Sequence, residues 1–234
     1  MLGICIITYN IPIEVINLQI ACIRKFCKDE HRIIIVDNSS DRAAIDSITY
    51  HINQDQEISY LKTKATSHNG SDSHAFAANL SYTFIKNKYD NLLYLDHDCI
   101  PVKDFSVKEI LGEKLFAGIG HGKQKTYFWP GCFMFNNKDI DRSLVNFSPS
   151  HDLGLDTGGH TYQLIERYGI EKALFFDEQY VQNEHFSHSF YNFYTLINNG
   201  MFLHFVNASN WNQAENHEER LNSLINLTKK IVNL

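Results

Sequence analysis

The stretch Asn91-Leu92-Leu93-Tyr94-Leu95-Asp96-His97-Asp98-Cys99-Ile100-Pro101 is the one on which the fold of this sequence turns. Four apolar residues, Leu92 to Leu95, closed by a turn signal, read as a buried central strand. Side chains alternate along a strand, so Asp96 and Asp98 should leave its end on the same side, with their carboxylates converging. Such a pair repels unless it is screened, and beside a buried strand it suggests a bound cation. An isolated Asp-x-Asp is more often a solvated turn. The segments upstream shift the balance.

Leu2 to Ile7 is a continuous apolar strand running into Thr8-Tyr9-Asn10, and Pro12 opens a helix to about Cys27 with Val15, Ile16, Ile20 and Ile23 as its apolar positions. Arg32 to Val36 gives a second buried strand that ends at Asp37-Asn38-Ser39-Ser40, and Asp41 to Tyr50 fits the helix after it. Ile58 to Leu61 is a shorter strand, followed by the polar loop Thr66 to Ser73. A third helix, His74 to Lys88, is expected to carry Phe76, Leu80, Phe84 and Ile85 on one face and to deliver the chain into the Asn91 strand. Strands alternating with helices of this length predict an α/β fold with a mainly parallel central sheet flanked by helices. Ligands of such sheets bind beyond the carboxyl ends of the strands, so the clusters at Thr8, Asp37 and Asp96 should share one edge. Singly, Asp37 reads equally well as a helix cap, and Thr8 and Asn10 as turn residues.

Composition narrows the functional classes. A chain of 234 residues, 44% hydrophobic, fits one domain with a continuous core. A formal charge of -6 and the lack of a dense Lys/Arg block argue against nucleic acid as a partner. Five cysteines with no Cys-x-x-Cys pair disfavour a zinc ribbon or a disulfide scaffold and point to a reducing compartment. No run approaches the roughly 18 apolar residues that span a bilayer, and Met1 to Thr8 lacks the basic lead of a signal peptide. A soluble, cytoplasmic protein without an integral membrane segment is the expectation.

Residues 1 to 105 resemble, in order and in spacing, the nucleotide-sugar glycosyltransferases of the GT-A fold, most closely the family-2-like group. Thr8-Tyr9-Asn10 stands for the family's opening Thr-Tyr-Asn, and Val36-Asp37-Asn38-Ser39-Ser40 for its Val-Asp-Asp/Asn-x-Ser strand end. Asn69-Gly70 with Ala75 to Asn79 is an altered form of its loop and helix, and Asp96-His97-Asp98 is its Asp-x-Asp. The resemblance implies a single GT-A domain over residues 1–234, with a nucleotide-binding half, 1–105, and an acceptor half with a C-terminal helix, 106–234. It gives Thr8, Tyr9, Asn10 and Asp37 to the nucleotide, with Asn69, Ser73 and Asn79 as further contacts. Asp96 would face the nucleotide and share in the metal, and Asp98 would hold Mn2+ or Mg2+ between the phosphates. The implied activity is metal-dependent, inverting transfer of a sugar from a nucleoside diphosphate to a hydroxyl of a glycan or small molecule, as in polysaccharide biosynthesis. Two rivals stay open: a nucleotidyltransferase of similar α/β fold, which normally wants a Gly-rich, basic loop that is not seen after Thr8, and a non-catalytic sugar- or nucleotide-binding module.

The second half must then supply the acceptor site. Lys114 to Gly120 and Tyr127 to Phe135 read as strands, the latter containing Trp129-Pro130-Gly131, where Trp129 is either a flat wall for a sugar ring or core packing. Gly131 loosely matches the family's small-residue turn beneath the donor sugar. Asp156, before a helix at His160 to Tyr168 with Leu164 and Ile165 inward, matches the family's base, with Asp152 as the alternative; an ordinary helix cap explains Asp156 as well. Ala173 to Phe176 is a further strand. Tyr180 to Asn199 is expected to be a loop over the site, with His185 and His188 as a surface pair. Met201 to Val206 is the last strand, and its His204 matches a late metal ligand of the family or is a buried structural histidine. An amphipathic helix, about Gln213 to Val232, with Leu221, Leu224, Ile225 and Ile231 on one face, should pack on the sheet or pair two copies into a homodimer.

Overall fold

In the computed structural model, which describes residues 1–64, 70–122, 124–182, 193–205 and 217–233, the first strand β1 (Leu2–Thr8) is buried at every position. A strand with a neighbour on each side and helices above and below has no solvent-facing side, which is why its sequence is apolar throughout. It pairs in parallel with β2 (His31–Asp37) and with β4 (Asn91–Asp96), and β3 (Ile58–Lys62) extends the sheet beyond β2. On the far side of β4 lies β7 (Tyr127–Asn136), antiparallel to it and to β6 (Phe116–His121), while β8 (Ala173–Phe175) runs parallel to β6. The order is β3-β2-β1-β4-β7-β6-β8 with only β7 reversed, the mainly parallel sheet that the sequence predicts.

The connecting helices are α1 (Ile13–Phe26), α2 (Arg42–Ile52) and α3 (Gly70–Ile85), with short α4 (Val107–Leu111) and α5 (Tyr162–Tyr168) later in the chain. Asp41 caps α2 by accepting from the Ala44 amide at 2.9 Å. The expected inner face of the third helix is corrected: Phe76 and Phe84 are exposed, and α3 turns Ala75, Ala77, Ala78, Ser81, Tyr82 and Ile85 inward instead. Small residues let the helix lie close to the sheet.

As the turn signal after Leu95 implies, β4 stops at Asp96 and the chain bends at His97-Asp98; beyond the bend a short strand the sequence does not announce, β5 (Cys99–Pro101), joins a second sheet. That sheet, all antiparallel, has the order β5-β11-β10-β9, from β9 (Glu178–Gln182), β10 (Phe193–Ile197) and β11 (Phe202–His204). Much of the stretch expected to be a loop is therefore β9 and β10; His185 and His188 lie outside the described residues, as does 206–216.

The large sheet separates two apolar layers. One holds α1, the second sheet and α6 (His217–Val232), with Ile4, Ile16, Ile23, Leu95, Phe202 and Leu224 fully buried. The other holds α3 and α5 against Tyr94, Phe128, Phe133, Phe135 and Phe147, where Tyr94 and Phe147 lie 4.7 Å apart and Phe128 and Phe133 stack at 4.8 Å. Helix α6 packs on α1, with Lys25 donating to the Val232 carbonyl at 2.6 Å; Leu224 is buried and Ile231 is exposed. Among the described residues no helix is long and apolar enough to cross a membrane.

Candidate active site

The parallel register brings the polar strand ends together. Thr8 aligns with Asp37 and Ile7 with Asp96, so Asp37 and Asp96 stand two strands apart on one edge, about 10 Å by strand spacing. Thr8 is fully buried and its hydroxyl oxygen has no partner among the described residues. Asp37, also fully buried, accepts from the Ser39 amide at 2.9 Å and from the Tyr60 hydroxyl at 2.6 Å. Asn10, at φ 46°, braces the end of β1 against the turn after β2: its Oδ1 accepts from the Ser40 and Asp41 amides, both at 2.9 Å. Ser73 is held by Asn38, whose Nδ2 donates to its hydroxyl at 2.9 Å. Tyr9 is half-buried, and Asn69 lies outside the described residues.

The bend at Asp96-His97-Asp98 is gripped on all sides. The His97 amide donates to the Ile7 carbonyl at 3.2 Å, and the Phe205 amide to the Asp98 carbonyl at 2.9 Å. Gln19 of α1 donates to the Asp96 and Cys99 carbonyls at 2.8 and 2.7 Å. From the opposite layer, His74 of α3 brings Nε2 to 2.7 Å from Asp96 Oδ1. Burial pushes the His74 pKa down, but the negative charges of Asp96, Asp98 and Asp156 prevail and raise it. Burial works to raise Asp96 in turn, and the His74 charge, with His97 and His204, holds it below the usual carboxylate range. Two carboxylates of the bend and a third from Asp156, 58 residues on, thus bear on one imidazole.

His204 of β11 sits on the other side of Asp98, with Nε2 3.8 Å from Asp98 Oδ1 and Nδ1 3.3 Å from the Thr195 hydroxyl. Burial, aided by His121 and His97 against the pull of Asp96, lowers its pKa to about 4, so it is neutral near pH 7. A neutral imidazole steered by a polar partner on its second nitrogen is the form that binds metals. Two donors each about 2.1 Å from a cation can lie up to about 4.2 Å apart, so the Asp98–His204 spacing fits a divalent ion. Among the described residues no three His, Cys, Asp or Glu side chains form a complete metal cage, so the remaining positions would fall to a ligand or water. The Trp129 indole packs 4.9 Å from His204, and it occupies the space a Cβ would need at Gly131; the glycine is needed there for Trp129 itself.

Asp156 and Asp152 part company. Asp156 is exposed, its Oδ1 accepts from the Thr157 amide at 2.7 Å, and its charge reaches His74 and His121. Asp152 bonds the Ser150 hydroxyl at 2.8 Å and feels His160 instead. The loop that carries them is moored to α3. Thr157 donates to the Ser71 carbonyl at 3.1 Å, and His151 meets Asp72 at 3.0 Å. Asn79 accepts from the Phe147 amide at 2.8 Å and donates to Asn146 and Ser148, so its amide is spent on this loop. Gly158, at φ +86° and pressed against the Phe128 carbonyl, leaves no room for a side chain. Sequence reasoning passed over His74 and Gln19. Gln19 had a signal, a polar residue in the middle of an apolar helix stripe; His74 had none beyond lying in the segment that follows the third strand.

At the level of sequence, no family model and no curated protein matches the chain. Its fold superposes on galactosyltransferase LgtC, solved with donor and acceptor sugar analogues, with a TM-score of 0.52 over 96% of this chain and 95% of that one at 12% identity. The mannosyltransferase PcManGT from Pyrobaculum calidifontis, solved with GDP-Man and Mn2+, gives 0.48 over 74% of this chain and 54% of that one at 13% identity. GlyE from Streptococcus pneumoniae TIGR4 gives 0.45 over 74% and 45% at 18% identity, so the chain spans about half the length of these last two. Identities this low speak to architecture alone. By its sheet order, by its helical layers and by its superposition along nearly the whole of LgtC, the chain has the GT-A fold of the nucleotide-sugar glycosyltransferases.

Proposed function

We propose that the chain is a metal-dependent, inverting glycosyltransferase that moves a sugar from a nucleoside diphosphate to a hydroxyl acceptor. The observation that carries this reading is the shared carboxyl edge of the sheet, where Thr8, Asp37 and Asp96 end neighbouring strands and Asp98 faces His204 at 3.8 Å. Asp98 and His204 would hold the cation. A carboxylate with an imidazole suits Mn2+ better than Mg2+, which prefers oxygen alone. Bound there, the ion would offset the charge that grows on the departing diphosphate.

The chain's own residues do the rest. Thr8, its buried hydroxyl without a partner among the described residues, and Asp37 border the nucleotide, Asp96 is kept ionised by His74, and Trp129 offers a ring face to a sugar. Asp156 accepts the proton of the acceptor hydroxyl as its oxygen bonds to the sugar carbon and the bond to the diphosphate breaks. One displacement with the base opposite the leaving group inverts that carbon. Five free cysteines support a reducing, cytoplasmic setting. The test is donor hydrolysis and transfer across UDP-, GDP-, dTDP- and CMP-sugars with Mn2+. Turnover of at least one donor, lost in Asp98→Ala and retained in Ile23→Val, is the expected result. No turnover and no binding of any donor would overturn the reading.

A further inference from the structure

We infer that Gln19 is a positioning residue for the candidate cation site: from α1 it fixes the bend between β4 and β5 that sets the Asp96 and Asp98 carboxylates relative to one another. The inference rests on the glycosyltransferase reading above. Gln19 is 0% exposed in an apolar layer, flanked on its helix by Val15, Ile16 and Ile23, each also 0%. An amide in such a place costs stability unless its hydrogen bonds are made; its Oε1 has no partner among the described residues, so what holds the amide there is its nitrogen. Both hydrogens of its Nε2 are spent on the bend, one on the Asp96 carbonyl at 2.8 Å and one on the Cys99 carbonyl at 2.7 Å. Both partners accept only, so the nitrogen must face them.

Those two carbonyls bracket His97 and Asp98. One side chain therefore ties the last residue of the large sheet to the first strand residue of the small one. His74 takes the Asp96 side chain from the opposite layer while Gln19 takes its backbone, so the residue is clamped from both faces. A ligand oxygen held in place before the ion arrives need not be ordered on binding. Loss of Gln19 should thus show first in metal affinity.

The experiment compares the full chain with Gln19→Met, which keeps the length and loses both bonds, and with Gln19→Asn, too short to reach both carbonyls. Ile23→Val and Ile23→Ala, on the same helix, bracket the loss of stability without touching the bend. Mn2+ binding is titrated by electron paramagnetic resonance, with the metal alone and with UDP, GDP or dTDP, beside a melting curve for each variant. Gln19→Met should weaken Mn2+ binding by about 10- to 100-fold, the usual effect of removing a group that supports a ligand, and Gln19→Asn by less. The Ile23 variants should melt earlier and bind Mn2+ as the parent does. Parental affinity in both Gln19 variants overturns the inference, and so does an equal loss in an Ile23 variant of matching melting point. A parent chain that binds no Mn2+ under any of these conditions overturns the glycosyltransferase reading itself, a result visible before any variant is made.

Discussion

Replacing His204 with Gln should make the protein less sensitive to acid. His204 is 8% exposed, and its pKa falls from 6.5 in the open chain to about 4 in the fold, chiefly through burial. Below pH 6.5 the unfolded chain takes up a proton that the folded chain refuses, so stability is whole above that pH and drains away as pH falls toward 4. At about 1.36 kcal/mol per pH unit the whole interval corresponds to about 3 kcal/mol. Between about pH 7 and pH 5 it amounts to about 2 kcal/mol. The assay is urea unfolding at those two pH values with EDTA present, on the parent and on His204→Gln, whose amide keeps a polar group beside Thr195. Other titrating groups act in both proteins: His97, lowered by burial, works in the same sense as His204, and His74, with its raised pKa, works against it. The parent should lose about 2 kcal/mol more than the variant on going to the lower pH. Losses that agree within about 0.5 kcal/mol would refute the argument, because they would mean that His204 takes up its proton equally easily in both states.

Three other outcomes follow from single contacts. Tyr60→Phe removes the 2.6 Å donor to buried Asp37, a loss of about 1.5–3 kcal/mol, and should lower the melting point by about 3–12 °C; a fall under about 1 °C would show that another donor serves Asp37. Asn79→Ala strips the Phe147 amide of its partner and should cost about 1–3 kcal/mol, with faster proteolysis of the segment around Ser148; unchanged cleavage would separate Asn79 from that loop. Asp156→Asn should slow transfer by about 10²- to 10⁴-fold with Mn2+ affinity intact, while Asp152→Asn leaves transfer nearly as it was; the reverse pattern would assign the base to Asp152.

The front half of the fold was legible because its strands are continuous apolar runs that stop at polar residues. Thr8, Asp37 and Asp96 each end a strand, and those ends share one edge. The inner face of α3 was misread because large apolar residues attract attention. Ala75, Ala77, Ala78 and Ser81 do the close packing, while Phe76 and Phe84 point outward. Cys99 to Pro101 carries no strand signal of its own; partners more than 100 residues away, Phe202 to His204, make it one. The antiparallel β9 and β10 were hidden because β9 is mostly polar and β10, Phe193 to Ile197, is a short run at the end of a polar and aromatic segment. In the site, carboxylates were found by motif. His74 leaves no pattern in a single sequence, and Gln19 leaves only a polar break in an apolar helix stripe, which marks a buried amide without naming the backbone it holds.

The two acidic residues of the bend ride on different rafts. Asp96 closes the seven-stranded sheet, and Asp98 stands one residue ahead of the four-stranded one. Any tilt between the rafts changes the gap between their oxygens. A ligand that grips both would rivet them together, and the stiffening would travel along the small sheet to β9 and β10, strands that hold none of the candidate ligating residues. Slower amide exchange in those two strands when Mn2+ and a nucleoside diphosphate are added would be the mark of that rivet.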